Sequence, residues 1–226
     1  MSMSKSKISV LAAALIVLLG AVPAFAQVRP EVSVTLGWTF ADGVSATNPV
    51  LAGGQIYDRV DPKDSFSWGL GLGIPVNENV ELGFLFGQQL STLVAGGTTE
   101  FDIGDFSINT YHGYFGYNFG EADAKVRPYF LFGLGATNYG GTDYTGPNGR
   151  SGTLAAFTQF STTWGAGVKG YGSGHVGYRA GASWTPTYIK SDSVGWWCDP
   201  YWGCYVVGDP QYANQFSLNG GILFKF

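Results

Sequence analysis

The segment Glu31-Val32-Ser33-Val34-Thr35-Leu36-Gly37-Trp38-Thr39-Phe40 decides the fold. Its apolar members fall on every second position, with Glu31, Ser33, Thr35, Gly37 and Thr39 between them. Successive side chains of a strand point to opposite faces, so this is a strand with one apolar face and one small, polar face. The same alternation returns at 65–74, 80–87, 111–119, 127–134, 160–169, 176–184 and 216–226. The copy at 127–134 is the least regular, because Leu131 falls on the polar side. Eight strands are expected.

The connections alternate in length. Pro75–Asn79, Gly120–Lys125 and Gly170–Gly174 are short, whereas the other four are long. An up-and-down antiparallel barrel in an outer membrane has this asymmetry, with short periplasmic turns and long extracellular loops. An even strand number places both ends of the barrel on the periplasmic side.

Composition points to lipid. Charged residues make up only 12% of the chain, while Gly (35 residues) and aromatics (16%) are heavily used. A soluble domain normally carries ~25% charge. No stretch of 18 apolar residues follows the N-terminal segment, so spanning helices are excluded. A closed barrel is the remaining way to cross, because it pairs every backbone group between strands.

Period two does not itself say which face points inward, and a lipocalin-like soluble barrel would alternate too. Three features favour apolar-out. The other face is mostly Gly, Ser and Thr, which suits the narrow interior of eight strands. Aromatics such as Trp38, Phe40, Trp68, Tyr117, Phe119, Trp184 and Phe226 gather near strand ends, as interfacial girdles do. The polar face is also too poor in charge to be a wet exterior.

The N-terminus carries Lys5 and Lys7, an apolar run from Ile8 to Leu19, then Ala24-Phe25-Ala26 before Gln27. These are the parts of a secretory signal peptide. The expected organisation is a signal peptide at 1–26, cleaved between Ala26 and Gln27, and one barrel domain at 27–226 in the cell outer membrane of a Gram-negative bacterium.

The last residues, Asn219-Gly220-Gly221-Ile222-Leu223-Phe224-Lys225-Phe226, resemble the terminal assembly signal of bacterial outer-membrane barrels at Asn219, Gly221, Phe224 and Phe226. Tyr111-His112-Gly113-Tyr114, Arg127-Pro128-Tyr129 and Trp164-Gly165-Ala166-Gly167-Val168-Lys169 resemble the OmpA-like outer membrane β-barrel domain family. The resemblance spans 27–226. It implies an eight-stranded barrel surrounded by lipid and lipopolysaccharide and inserted by the barrel assembly machinery, and because the chain stops at the last strand no peptidoglycan-binding domain is expected.

Strand parity turns Glu31, Glu81, His112, Arg127, Lys169, Arg179 and Lys225 into the barrel. Buried charges must pair. Strands 1 and 8 meet at the closure, so Glu31 is expected near Lys225, and Glu81 is expected to serve Arg127, Arg179 or both. This network is either a packed polar plug or a gate to a narrow pore.

In the fourth long loop, Cys198 and Cys204 flank a short ring set among Trp196, Trp197, Tyr201, Trp202 and Tyr205. An even cysteine count in an exported chain points to a disulfide. Loop 194–205 is then either a contact surface for a host or glycan partner or a cap folded over the barrel mouth.

The remaining loops are acidic, with Asp42, Asp58, Asp61, Asp64, Glu100, Asp102, Asp105 and Asp143 among their residues. Ordinary solvation accounts for them, and no ligand series marks a metal site. His112 and His175 are the only histidines; His112 has no serine at i+2, and His175 sits beside Ser173 in a periplasmic turn, the wrong side for outer-leaflet substrates. No cofactor, metal or nucleic-acid partner is expected. The functional expectation is a non-enzymatic barrel with a structural or surface-interaction role. The alternatives are a narrow porin-like channel for ions or small solutes and, more distantly, a lipid-modifying barrel enzyme.

Overall fold

The structure, a computed structural model, describes residues 29–52, 54–145, 151–172, 174–189, 198–199, 203–204 and 211–226. The expected signal peptide and its Ala26–Gln27 junction lie outside these residues, as does most of loop 194–205. Fourteen strands occur among the described residues. They begin with β1 (Glu31–Ala41), β2 (Val44–Ala52), β3 (Gln55–Pro62), β4 (Ser65–Pro75) and β5 (Val80–Gly97). They continue with β6 (Phe101–Asn118), β7 (Val126–Tyr139), β8 (Thr142–Thr145), β9 (Ser151–Leu154) and β10 (Phe157–Tyr171). The last four are β11 (Val176–Ile189), β12 (Cys198–Asp199), β13 (Gly203–Cys204) and β14 (Gln211–Lys225).

Eight of them close a ring. In order around the wall they are β1, β4, β5, β6, β7, β10, β11 and β14, each antiparallel to the next, and β14 pairs back with β1. The closing register sets Glu31 opposite Lys225 and Val34 opposite Ile222. At one end of the barrel, the turn end, three short connections join β4 to β5, β6 to β7 and β10 to β11. Gly120 (φ 85°) and Gly174 (φ 107°) lie in two of them, in a left-handed conformation that a Cβ disfavours. The opposite end, the loop end, carries the short hairpins β2–β3, β8–β9 and β12–β13.

One expectation needs correction. The connection between the third and fourth barrel strands was expected as a long loop over 88–110. Instead β5 runs to Gly97 and β6 starts at Phe101, leaving three residues to turn. Each of these strands has 18 residues, whereas ~9–11 tilted residues suffice to cross a bilayer. The hairpin therefore stands well beyond the apolar band, and β3 adds to its edge along Pro62↔Leu93 to Tyr57↔Gly97.

The faces are resolved by burial. Val34, Leu36, Trp38, Phe40, Leu70, Leu72, Phe84, Phe115, Trp164, Leu218 and Ile222 are all exposed on the outer wall. Glu31, Ser33, Thr39, Glu81, His112, Arg127, Lys169 and Arg179 are buried inside it. An outer wall of this composition needs an apolar surround, and the soluble lipocalin-like arrangement would have the faces reversed. Leu131, the irregular residue of the sequence pattern, is buried inside with Tyr114 and Tyr129.

At the loop end the interior changes character. Val44, Tyr57, Val60, Leu93, Ala95, Ile103, Phe106, Ile108, Tyr139, Ile189 and Ala213 belong to one continuous apolar core. It fills the mouth of the barrel and the base of the projecting hairpin.

Candidate functional site

The turn-end half of the interior holds the charged residues. Parity brings β1, β5 and β10 to point Glu31, Glu81 and Lys169 at one another across the lumen. Lys169 is 1% exposed and bridges both carboxylates. Its Nζ donates to Glu31 Oε2 at 2.9 Å and to Glu81 Oε2 at 2.5 Å. Each carboxylate has further donors. Tyr171 Oη donates to Glu31 Oε1 at 2.9 Å. Tyr114 Oη donates to Glu81 Oε1 at 2.9 Å, and Asn118 Nδ2 donates to Glu81 Oε2 at 3.1 Å. Such convergence is what makes a buried ion pair tolerable, since an unpartnered buried charge costs several kcal/mol.

Glycine makes room for this layer. A Cβ at Gly83 would overlap the ring of its register partner Tyr114, which reaches over the neighbouring strand to Glu81.

The partners differ from those expected by parity. Glu31 and Lys225 stand opposite each other in the register, but the Glu31 carboxylate bonds Lys169. Lys225 sits at the rim, where its long side chain reaches Tyr171 and places Nζ 4.9 Å from the ring centroid. Glu81 was expected to serve Arg127 or Arg179, and it also bonds Lys169. Arg127 is drawn instead to backbone carbonyls at the turn end. Its Nη2 donates to Glu78 O at 2.8 Å, Asn118 O at 3.2 Å and Gly120 O at 3.4 Å. Arg179 packs against Tyr129, with Nε donating to Tyr129 Oη at 3.0 Å and Cζ 4.6 Å from the ring centroid.

Arg179 and Tyr129 border a cavity of about 120 Å³ with a mixed polar and apolar lining. Ser33, Thr35, Gln89, His112, Thr163 and Arg179 are among the residues that line it. Its upper edge is a belt of side-chain hydrogen bonds. Gln215 Nε2 donates to Gln89 Oε1 at 2.8 Å, and Thr187, Thr137 and Ser161 are linked in series. His112 Nε2 and Ser161 Oγ are 2.9 Å apart. This pair has no signal in the sequence, because 49 positions separate the two residues and only the β6–β7–β10 order brings them together. Both are buried inside the wall, at 2% and 1% exposure, so the pair braces three strands and faces neither lipid leaflet.

At the loop end, basic residues take up part of the acidic charge. Arg59 pairs with Asp61 at 2.9 Å, and Lys63 pairs with Asp102 at 2.7 Å. Burial raises the Asp61 carboxyl above its ordinary range, against the opposing pull of Arg59. Cys198 and Cys204 are register partners in the β12–β13 pair, while their side chains lie outside the described residues. Of the C-terminal signal residues, Asn219, Gly221 and Phe224 lie in β14, and Phe226 follows it with its N–H donating to Pro30 O at 3.1 Å.

Comparison with known proteins places this geometry. A family model described as the outer membrane protein beta-barrel domain matches residues 12–219. Among solved structures, the outer membrane protein OprG from Pseudomonas aeruginosa is similar with a TM-score of 0.63 at 12% identity, covering 88% of this chain and 95% of OprG. The outer membrane protein AlkL, solved by solid-state NMR in DMPC lipid bilayers, is similar with a TM-score of 0.52 at 10% identity, covering 88% of this chain and 90% of AlkL. No curated protein matches the sequence. At these identities the likeness is one of fold.

Proposed function

Since the chain belongs to the outer membrane protein beta-barrel domain family, we propose that it is a closed, non-conducting barrel whose role is structural or is exercised by its projecting loop end. The observation that carries this reading is that the interior is stopped twice. Lys169, Glu31 and Glu81 span the lumen at the turn end, and the apolar core around Leu93, Ile108 and Tyr139 fills the loop end. An ion crossing the barrel would have to break a buried ion network and then enter a dry apolar plug.

Three kinds of partner fit this role. The exposed apolar band suits lipid and lipopolysaccharide. The terminal pattern Asn219, Gly221, Phe224 and Phe226 suits recognition by the barrel assembly machinery. Loop 194–205, with an expected Cys198–Cys204 disulfide, is the proposed contact for a host or glycan surface. Processing between Ala26 and Gln27 belongs to the same proposal.

Planar-bilayer recording and liposome swelling test the closed state. The folded protein should add no steps above the lipid background and should not accelerate swelling by small sugars. Stable unitary steps that survive at low protein density would favour the narrow-channel alternative. Lipid A mass spectrometry of cells with and without the protein should give identical spectra, and a new lipid A species would favour the enzyme alternative.

A further inference from the structure

The outer wall above the lipid differs from one side of the barrel to the other. On β11 and β14 the register sets Trp184 opposite Phe216, and four residues nearer the loop end it sets Tyr188 opposite Tyr212. The pair Ser161↔Thr187 puts Phe160, on β10, beside Tyr188. Phe160 and Tyr212 are 55% and 58% exposed, and Tyr188 is half-buried. Three neighbouring strands thus present an aromatic row beyond the tryptophans. Across the barrel, four residues past Tyr111, β6 presents Ser107, and four past Leu134, β7 presents Asn138.

Charge divides the wall in the same way. The sector built on β3 and β6 carries Arg59, Asp61, Asp102 and Asp105, with Lys63 just after β3. Over 157–164, 184–189 and 211–216, by contrast, β10, β11 and β14 carry no charged residue.

We propose that Phe160, Tyr188 and Tyr212 form a stacking platform for a sugar ring of the lipopolysaccharide headgroup. The proposal rests on the reading above that lipopolysaccharide surrounds the barrel, and it gives that contact a place on the wall. The chemistry of the row selects a sugar over a phosphate. Aromatic faces carry partial negative charge, so they attract the polarised C–H groups on the flat side of a pyranose. A phosphate would call for Arg or Lys, and these stretches have neither. The rings of Tyr188 and Tyr212 stand 5.7 Å apart between centroids and meet at 58°, so the pair is not closed on itself as a stack.

Position selects a sugar held in the membrane over one free in solution. Four residues of a tilted strand rise by roughly 10 Å, which keeps the row within headgroup reach of the apolar band. The row is continuous with that band through Trp164, Trp184 and Phe216, which are exposed on the same three strands. An exposed apolar patch that rises on one side only, where the rest of the ring is polar, marks a contact.

The test titrates the folded protein in detergent with lipopolysaccharide, and separately with phosphatidylglycerol, and counts bound lipid by native mass spectrometry. Heat-modifiable gel mobility confirms that each variant is folded. The wild type should prefer lipopolysaccharide. The double variant Tyr188→Ala, Tyr212→Ala should bind it about tenfold more weakly, a loss the size of one good contact, with phosphatidylglycerol binding unchanged. Tyr188→Phe, Tyr212→Phe keeps the ring faces and should bind as the wild type does. Asn138→Ala, Thr158→Ala, in the polar part of the wall, should also leave binding intact. A preference for lipopolysaccharide that survives the double alanine variant overturns the proposal alone. So does an equal loss for both lipids, which would make the row an ordinary part of the lipid girdle, or an equal loss in the phenylalanine variant. A wild type that takes the two lipids alike overturns the proposal together with the lipopolysaccharide contact it rests on.

Discussion

In the lower part of β5 the inward positions carry Glu81 and Gln89, whereas farther along the same strand they carry Leu93 and Ala95. β6 changes in the same sense, from Tyr114 and His112 to Ile108 and Phe106, and β11 changes from Arg179 and Thr185 to Ile189. Most outward positions change in the opposite direction, Leu90 being an exposed apolar exception above Gln88. Leu72, Phe84 and Phe115 face out below, while Gln88, Asn109 and Asn138 form polar side-chain bonds above. Strand parity is continuous along β7, β11 and β14 and along β6 from Gly104 to Asn118, so over these stretches the chemistry inverts while the geometry does not. The medium outside the wall explains this: against lipid the apolar side chains belong outside, and against water they belong inside. The height at which the two patterns exchange is the height of the membrane surface.

The largest expected effect comes from breaking the lower interior. Lys169→Met leaves two buried carboxylates facing each other without a cation, and removing one partner of a buried ion pair costs ~3–5 kcal/mol. The urea midpoint for folding into lipid vesicles should fall accordingly. Adding Glu31→Gln and Glu81→Gln to the same variant should recover much of the loss, because no unpaired buried carboxylate then remains. A triple variant as weak as Lys169→Met alone would mean that packing, and not charge, holds this layer.

The upper interior should respond as an ordinary core. Leu93 is 1% exposed among apolar neighbours, and truncation of such a residue costs ~2–5 kcal/mol. Leu93→Ala should therefore lower stability and expose the β5–β6 hairpin to protease. The heat-modifiable gel mobility of the membrane-level barrel should persist. Loss of both together would make the two regions a single cooperative unit.

The inversion also explains what the sequence revealed and what it concealed. The outer alternation of Val34, Leu36, Trp38 and Phe40 was legible because lipid imposes one rule on every second residue. Residues 104–110 obey the same period with the chemistry reversed, Phe106 and Ile108 inside and Ser107 and Asn109 outside, and a register irregularity at Ile103 interrupts it below residue 104. A search for apolar-out strands therefore ended at Tyr111 and took the rest for loop. Which charges face inward was legible too, since parity alone decides it. The partners were not. Parity gives the face, but pairing depends on height in the lumen and on the reach of the side chain, and Lys169 meets carboxylates on β1 and β5 from across the barrel. The His112–Ser161 contact was hidden for the same reason.

The outer wall should show the inversion with a single residue type. Arginine in place of Leu72, within the apolar band, should cost ~2–4 kcal/mol in vesicles, as a charge placed near the bilayer midplane does. Arginine in place of Thr158, an exposed residue beside the polar Asn138, should change stability by less than ~0.5 kcal/mol, as surface substitutions commonly do. Folding free energies from urea titration in the same lipid supply both values. Equal costs at the two sites would remove the proposed boundary between them.

The smallest effect belongs to the boundary itself. Trp68 Nε1 donates to Gln88 Oε1 at 3.0 Å, and Gln88 Nε2 in turn donates to Asn109 Oδ1 at 2.8 Å. On the far side of the ring, Trp184 Nε1 donates to Asn214 Oδ1 at 3.1 Å. An indole has an apolar body and one polar tip, so these residues fit a level where lipid gives way to water. Trp68→Phe removes the tip and keeps the body, which should cost ~0.5–1.5 kcal/mol, the net worth of one hydrogen bond. The double variant Trp68→Phe, Gln88→Leu tests whether this bond marks the boundary. It makes the outer face of β5 apolar without a break from Leu82 to Leu90, so its stability relative to wild type should improve as vesicles with longer acyl chains are used. A loss that stays the same at every chain length would show that the Trp68–Gln88 bond only braces neighbouring strands, and the surface level would then have to be sought higher on the hairpin.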